Sequence, residues 1–206
     1  EAAPRSLWDS TYTETSWITQ YSTNGPINLI PRMKAKIAAH YPGTKLSFTE
    51  WNYGGGATIS GAIASADVLG IFGRDGVDMA MMWPMGDESF TYVAFKAFRQ
   101  YDAGKAFGDT SVQATTTDVP NSSVYASVDS NNVSRMVIVA INKATTDKVA
   151  GIRVNHSTSY GHANVYTVTA SGGKSVVKGT PIAAVAANAF HYTMPAQSIS
   201  IIEPTP

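Results

Sequence analysis

The sequence predicts a two-part fold, α/β over residues 1–104 and all-β over residues 107–206. Three observations carry this. The first half alternates long runs of helical period with short apolar runs, the pattern of βα repetition around a parallel sheet. The second half carries six short strand-like runs and no convincing helical period. Turn residues sit between those runs where hairpins need them, which points to an antiparallel β-sandwich.

In the first half, Asn24-Gly25-Pro26 reads as a helix start, and Leu29, Ile30, Met33, Ile37 and Tyr41 recur at helical spacing until Pro42-Gly43. A strand over 45–51 follows. Ser60 then caps a second helix that runs through Ile63, Ala66 and Leu69 to Phe72, and Gly73 to Gly76 break it. "VDMAMMW" at 77–83 is a short apolar strand of the kind buried on both faces. A third helix over roughly 90–103 carries Tyr92, Phe95, Phe98 and Tyr101. In the second half "SVYASVDS", "RMVIVAIN", "VAGIRVNH", "ANVYTVTA", "KSVVKG" and "QSISIIEP" read as strands. Asn131-Asn132 and Gly172-Gly173 are the hairpin turns, and the alanine-rich "TPIAAVAANAFHYTMPA" reads equally as a short helix or a strand approach. The scattered tyrosines Tyr125, Tyr160, Tyr166 and Tyr192 form no obvious flat platform, so a structural role is expected for this half.

Composition narrows the function classes. The chain has 206 residues, 44% of them apolar, enough for a substantial core. Formal net charge is zero, which argues for neither nucleic acid nor an anionic membrane as partner. Charged residues make up 15%, below the usual quarter, and Ser, Thr, Asn and Gly take their place in a neutral polar surface. Cysteine is absent, which excludes disulfides, thiolate metal sites and cysteine nucleophiles. No apolar run reaches the length of a membrane span. Glu1 opens the chain without a leading element, so a C-terminal portion of a longer polypeptide is expected.

The stretch "KLSFTEWNYGGG", Lys45 to Gly56, carries the chemistry. Leu46 and Phe48 alternate with Ser47 and Thr49, as a strand does, and Glu50 stands at its end. The glycines then let the backbone turn. A carboxylate beside Trp51, Asn52 and Tyr53 sits among groups that stack and hydrogen-bond, which suits a sugar. The same spacing suits a structural ion pair, and spacing alone leaves the two open. Parity adds a constraint. Glu50 shares its face with Leu46 and Phe48, so it reaches a cleft only if those two point into it or if the strand kinks first.

"SLWDSTYTETSWI", "SFTEWNYGGGATISGAIASADVLGIFGRDGV" and "MAMMWPMGD" together resemble glycoside hydrolase family 44, whose members are endo-β-1,4-glucanases and xyloglucanases. The resemblance covers the chain in layout and is sharpest from Leu46 to Asp87. It implies a TIM-like (β/α)8 barrel joined to a β-sandwich. Residues 1–104 would be the closing part of the barrel, strands seven and eight with their helices, and 107–206 the sandwich. It implies Glu50 as the nucleophile at the end of strand seven and Trp83 as a sugar platform at the end of strand eight. Trp8 of the "LWD" loop would line the cleft; Tyr53 and Asn52, beside Glu50 in the sequence, read equally as substrate-binding cleft residues or as packing. The family's acid/base lies on a strand that has no counterpart here, so it belongs to a segment outside this chain. The resemblance further implies a β-glucan substrate, the N-terminal barrel segment of the same enzyme as partner, and secretion. No cofactor is required, and structural calcium is compatible with it.

Plainer readings stand beside these. Without the missing half, the chain reads as a non-catalytic carbohydrate-binding or scaffold fragment. Trp17 reads as packing. Asp67, inside a helix, reads as a solvated or capping group, while Asp87 and Glu88 follow the second strand closely enough to reach substrate. His40, His156, His162 and His191 show no metal-ligand spacing. "GGGATISG" lacks the Lys-Ser/Thr of a phosphate loop, so a tight turn is its role. Asn121, Asn132 and Asn155 begin glycosylation sequons.

Overall fold

The computed structural model describes residues 1–84 and 89–206. Its first part holds helices α1 (Leu29–His40), α2 (Ile59–Arg74) and α3 (Ser89–Arg99) with strands β1 (Ser47–Trp51) and β2 (Met79–Met82). Two short turns of helix precede α1, a 3-10 turn at Ala3–Leu7 and a π-helical turn at Thr19–Thr23. Asn24, Gly25 and Asn28 all have positive φ, so residues 24–28 turn the chain and α1 starts later than Pro26 suggests. Pro31 sits in the first turn of α1, where a missing N–H costs no intrahelical bond.

The strands β1 and β2 pair in parallel, with Ser47 opposite Met79 and Phe48 opposite Ala80. Helices α2 and α3 cover one face of this pair. The other face is open: Met79 and Met81 are exposed, which corrects the expectation of a strand buried on both sides. Of the α1 stripe only Ile30 is buried, while Met33 and Tyr41 are exposed.

After residue 109 every described strand pair is antiparallel. The strands are β3 (Thr110–Val112), β4 (Ser122–Asp129), β5 (Asn132–Asn142), β6 (Lys148–Arg153), β7 (His162–Val168), β8 (Val177–Lys178), β9 (Ile182–Ala186), β10 (Ala189–Met194) and β11 (Ser198–Thr205). They form one continuous sheet in the order β3-β4-β5-β11-β7-β9-β10-β6, with β8 beside β7. The alanine-rich stretch is thus a hairpin, β9 and β10. Asn188 turns it in the left-handed conformation, and its side chain anchors Tyr160 N and the carbonyls of His156 and Thr158.

Alternation along β4, β5 and β11 divides their side chains between two cores. Tyr125, Val137, Val139, Ile141, Ile199 and Ile201 pack on the helices. Met136, Ile138, Ala140 and Ile202 face Phe190 and Met194 of β10, so the sheet curls back on itself around a second core. Tyr125, Tyr160 and Tyr166 are buried, and Tyr192 bonds Ser200.

Helix α2 lies between the parallel pair and the antiparallel sheet, and twelve of its sixteen residues are buried. Asp67 is therefore no solvated group. It is 1% exposed, accepts the Tyr125 hydroxyl at 2.5 Å, and pairs with buried Lys143 at 2.6 Å. The linker after α3 is held similarly. Glu203 takes Lys105 at 2.7 Å and Tyr101 at 3.2 Å, and Arg135 binds Asp129, the Tyr101 hydroxyl and Ala106 O.

Candidate active site

The β1–β2 pair loses its regular register between Phe48 and Trp51. Leu46 and Phe48 pack toward the helices, Phe48 stacking on Phe72 at 4.9 Å. Trp51 is also buried there, edge-on to Phe72 at 5.7 Å and 6.0 Å from Phe95. Phe48 and Trp51 are three positions apart, so strict alternation fails between them. The register is irregular there, Trp51 is buried, and Thr49 and Glu50 are both left exposed. The register irregularity between Phe48 and Trp51 is the kink that parity requires, and Glu50 is exposed within it.

Beside it, Trp83 donates its N–H to Trp51 O at 3.2 Å, the last backbone tie between the strands. Its ring is 61% exposed, on the same alternation as the exposed Met79 and Met81. A cis peptide joins Trp83 to Pro84. Asn52 spans the same gap: Nδ2 donates to Pro84 O at 3.3 Å and Oδ1 accepts Gly54 N at 2.6 Å. Gly54 and Gly55 have positive φ. A Cβ on Gly61 would collide with Gly55 O, so glycine is required where the loop meets α2.

Tyr53 is half-buried against the helical core, and burial raises its phenol pKa, reinforced by the nearby negative charges of Glu14 and Asp67 and by Tyr12. Glu50, Asn52, Tyr53 and Trp83 are thus gathered at the ends of two parallel strands. Trp8 is not brought there. It is half-buried under the Arg74 guanidinium, 4.5 Å from its ring, at the last turn of α2. Asp9 is buried too, paired with Arg5 at 2.7 Å and accepting Thr11 N and Oγ1. Burial works against the Asp9 charge, and the bonds from Thr11 and Arg5 outweigh it and hold its pKa low. Asp87 and Glu88 lie outside the described residues.

Two further aromatics are exposed where the sequence reading expects packing or assigns no role. Trp17, read as packing, is 68% exposed, and Tyr21 four residues on is 81% exposed. Both stand in a run of seventeen residues, 15–31, without a charged side chain. That run was the available signal. The turn that carries them is fixed by Thr19 Oγ1, which donates to Glu14 O and Ser16 O.

Among the described residues no group of three or more His, Asp or Glu is placed to hold a metal ion.

Comparison with known proteins agrees with this architecture, although no protein-family profile matches the chain. An endoglucanase A of Paenibacillus lautus is 42% identical over 197 residues, 94% of this chain and 28% of that protein. A family 44 endoglucanase of Clostridium thermocellum superposes with a TM-score of 0.93 at 39% identity, over 98% of this chain and 40% of that one. A family 44 xyloglucanase of Paenibacillus polymyxa, solved with xyloglucan, gives 0.93 at 37% identity, over 99% and 40%. The chain spans between a quarter and two-fifths of these relatives. At this identity, and with this fold from end to end, the chain belongs to glycoside hydrolase family 44.

Proposed function

We propose that this chain supplies the nucleophile side of the cleft in a retaining endo-β-1,4-glucanase. The observation that carries the reading is Glu50, exposed at the end of a parallel strand one residue before Trp51, whose carbonyl accepts the backbone N–H of the exposed Trp83. In this reading residues 1–104 are the closing strands and helices of a (β/α)8 barrel, whose chemistry sits at the strand ends. The rest of the barrel, on polypeptide outside these 206 residues, covers Met79 and Met81.

The Glu50 carboxylate attacks the anomeric carbon and breaks its bond to the leaving oxygen, which takes a proton from a second carboxyl group. That group stands about 5–5.5 Å away in retaining enzymes and is contributed by the missing segment. It then removes a proton from water, which displaces Glu50 and releases the sugar with retained configuration. Trp83 offers its indole face to the apolar face of a pyranose. Trp17 and Tyr21, exposed in an uncharged segment, are further stacking surfaces for the glucan chain. The substrates of the relatives, glucan and xyloglucan, support a β-glucan. The neutral, weakly charged surface supports a secreted enzyme, and no described helix is long and apolar enough to cross a membrane.

The test is Glu50→Gln in the full-length enzyme. Turnover of soluble β-1,4-glucan is lost while glucan binding persists. Undiminished turnover would refute the nucleophile and leave the non-catalytic binding or scaffold reading.

A further inference from the structure

Within this chain Trp83 has little side-chain packing to hold it, since more than half of its surface is exposed. Its orientation must come from the backbone on either side. On one side its N–H is tied to Trp51 O. On the other side the ladder cannot continue. Pro84 has no N–H, and the positive-φ glycines 54 and 55 carry the first strand away. The Asn52 side chain supplies the missing rung, giving Nδ2 to Pro84 O while Gly54 N holds Oδ1. Trp83 is therefore clamped between a main-chain bond at its own nitrogen and a side-chain bond at the carbonyl of the next residue. The bonds to Pro84 O and from Gly54 N together fix the plane of the Asn52 side-chain amide.

We infer that Asn52 is a positioning residue for Trp83, and through it for the sugar beside Glu50, and is not itself a sugar ligand. The inference rests on the reading of Glu50 and Trp83 as the two sides of a glucan subsite. Small displacements of a platform matter because stacking and attack both depend on sub-ångström placement.

A double-mutant cycle in the full-length enzyme tests it: Asn52→Ala, Trp83→Ala and the double variant, assayed on soluble β-1,4-glucan. Asn52→Ala lowers kcat/KM by about tenfold, the scale of one lost hydrogen bond. In the Trp83→Ala background the same change does nothing further, because the group it positions is gone. Asn52→Asp keeps the Gly54 bond and opposes an oxygen to Pro84 O, so it behaves as Asn52→Ala while preserving shape. It also serves if the alanine variant folds poorly. Additive effects of the Asn52 and Trp83 changes would overturn the inference in favour of direct sugar binding or general loosening, as would an unchanged kcat/KM in both Asn52 variants. Glu50→Gln is run alongside. If it stays active the nucleophile reading fails, whereas the coupling between Asn52 and Trp83 is still read from the cycle.

Discussion

Phe48 and Trp51 both lie against the ring of Phe72, although they are three residues apart on one strand. A regular strand sends such residues to opposite faces. The irregularity that lets both reach α2 spans Glu50, which is exposed between them. Burying a tryptophan stabilises the fold by several kcal/mol, roughly 3–5 judged by truncation to alanine. That burial offsets the lost ladder regularity.

Residues 1–206 alone are expected to hydrolyse glucan poorly. A nucleophile without its acid cannot protonate the leaving oxygen, a transfer that typically contributes about 10²–10⁴-fold. The exposed Met79–Met81 face and open strand edges also favour association. Purifying 1–206 and assaying it on soluble β-1,4-glucan checks this. Robust, Glu50-dependent turnover by that monomer would mean that the acid lies within the chain.

Gly70 stands in the middle of α2, where alanine is ordinarily the better helix former by about 1 kcal/mol. Here a Cβ would run into the Tyr125 ring. Tyr125 is buried and bonded to Asp67, so it cannot swing aside. Overpacking costs about 1–3 kcal/mol and exceeds the propensity gain. Gly70→Ala should lower the denaturation midpoint, and a raised midpoint would show that the helix and sheet yield to one another.

Acid should loosen the linker and the sheet corner before it reaches the cores. Asp102 is held below the usual carboxylate range by the Ala103 N–H and then the Tyr166 hydroxyl, and Asp109 by the Ser130 hydroxyl and N–H. A depressed folded pKa gives stability that is fully present above the unfolded value, about 3.9, and is lost as the pH falls through the folded one. Asp102→Asn should therefore be less stable than wild type at pH 7, with the gap closing below about pH 4. Urea midpoints measured against pH read this directly, and a gap constant down to the lowest pH would exclude the charge as its source.

Trp17→Ala and Tyr21→Ala in the full-length enzyme should raise KM for long glucan chains by about three- to tenfold, equivalent to roughly 1 kcal/mol of lost stacking. The kcat value should hold, since the role proposed for both rings is uniform binding of the glucan chain. Equal kinetics for wild type and both variants would remove these residues from the binding surface.

Local pattern was enough for much of this molecule. The period of 3.6 marked three helices and the period of two marked the strands, because each element buries one face and repeats accordingly. Gly173 turns between β7 and β8, and Asn131 stands between β4 and β5, because turn chemistry is local as well. Glu50 and Trp83 stood out as strand-end residues in a long, specific motif. Other properties needed the third dimension. Helix α2 is sandwiched between two sheets, so its Asp67 is buried with a lysine 76 residues away, and no local pattern announces that partner. The open face of β2 follows from which layers this chain contains, since an apolar run reads the same whether one face or both are covered. The Ala-rich stretch became a hairpin because β7 and β6 offered edges to pair with, and pairing overrides a weak propensity. The sequence by itself determined that a carboxylate ends the strand. Only the packing of Phe48 and Trp51 on one ring decided that strict alternation ends before that carboxylate's strand does, because a one-residue change of register reverses every side chain beyond it.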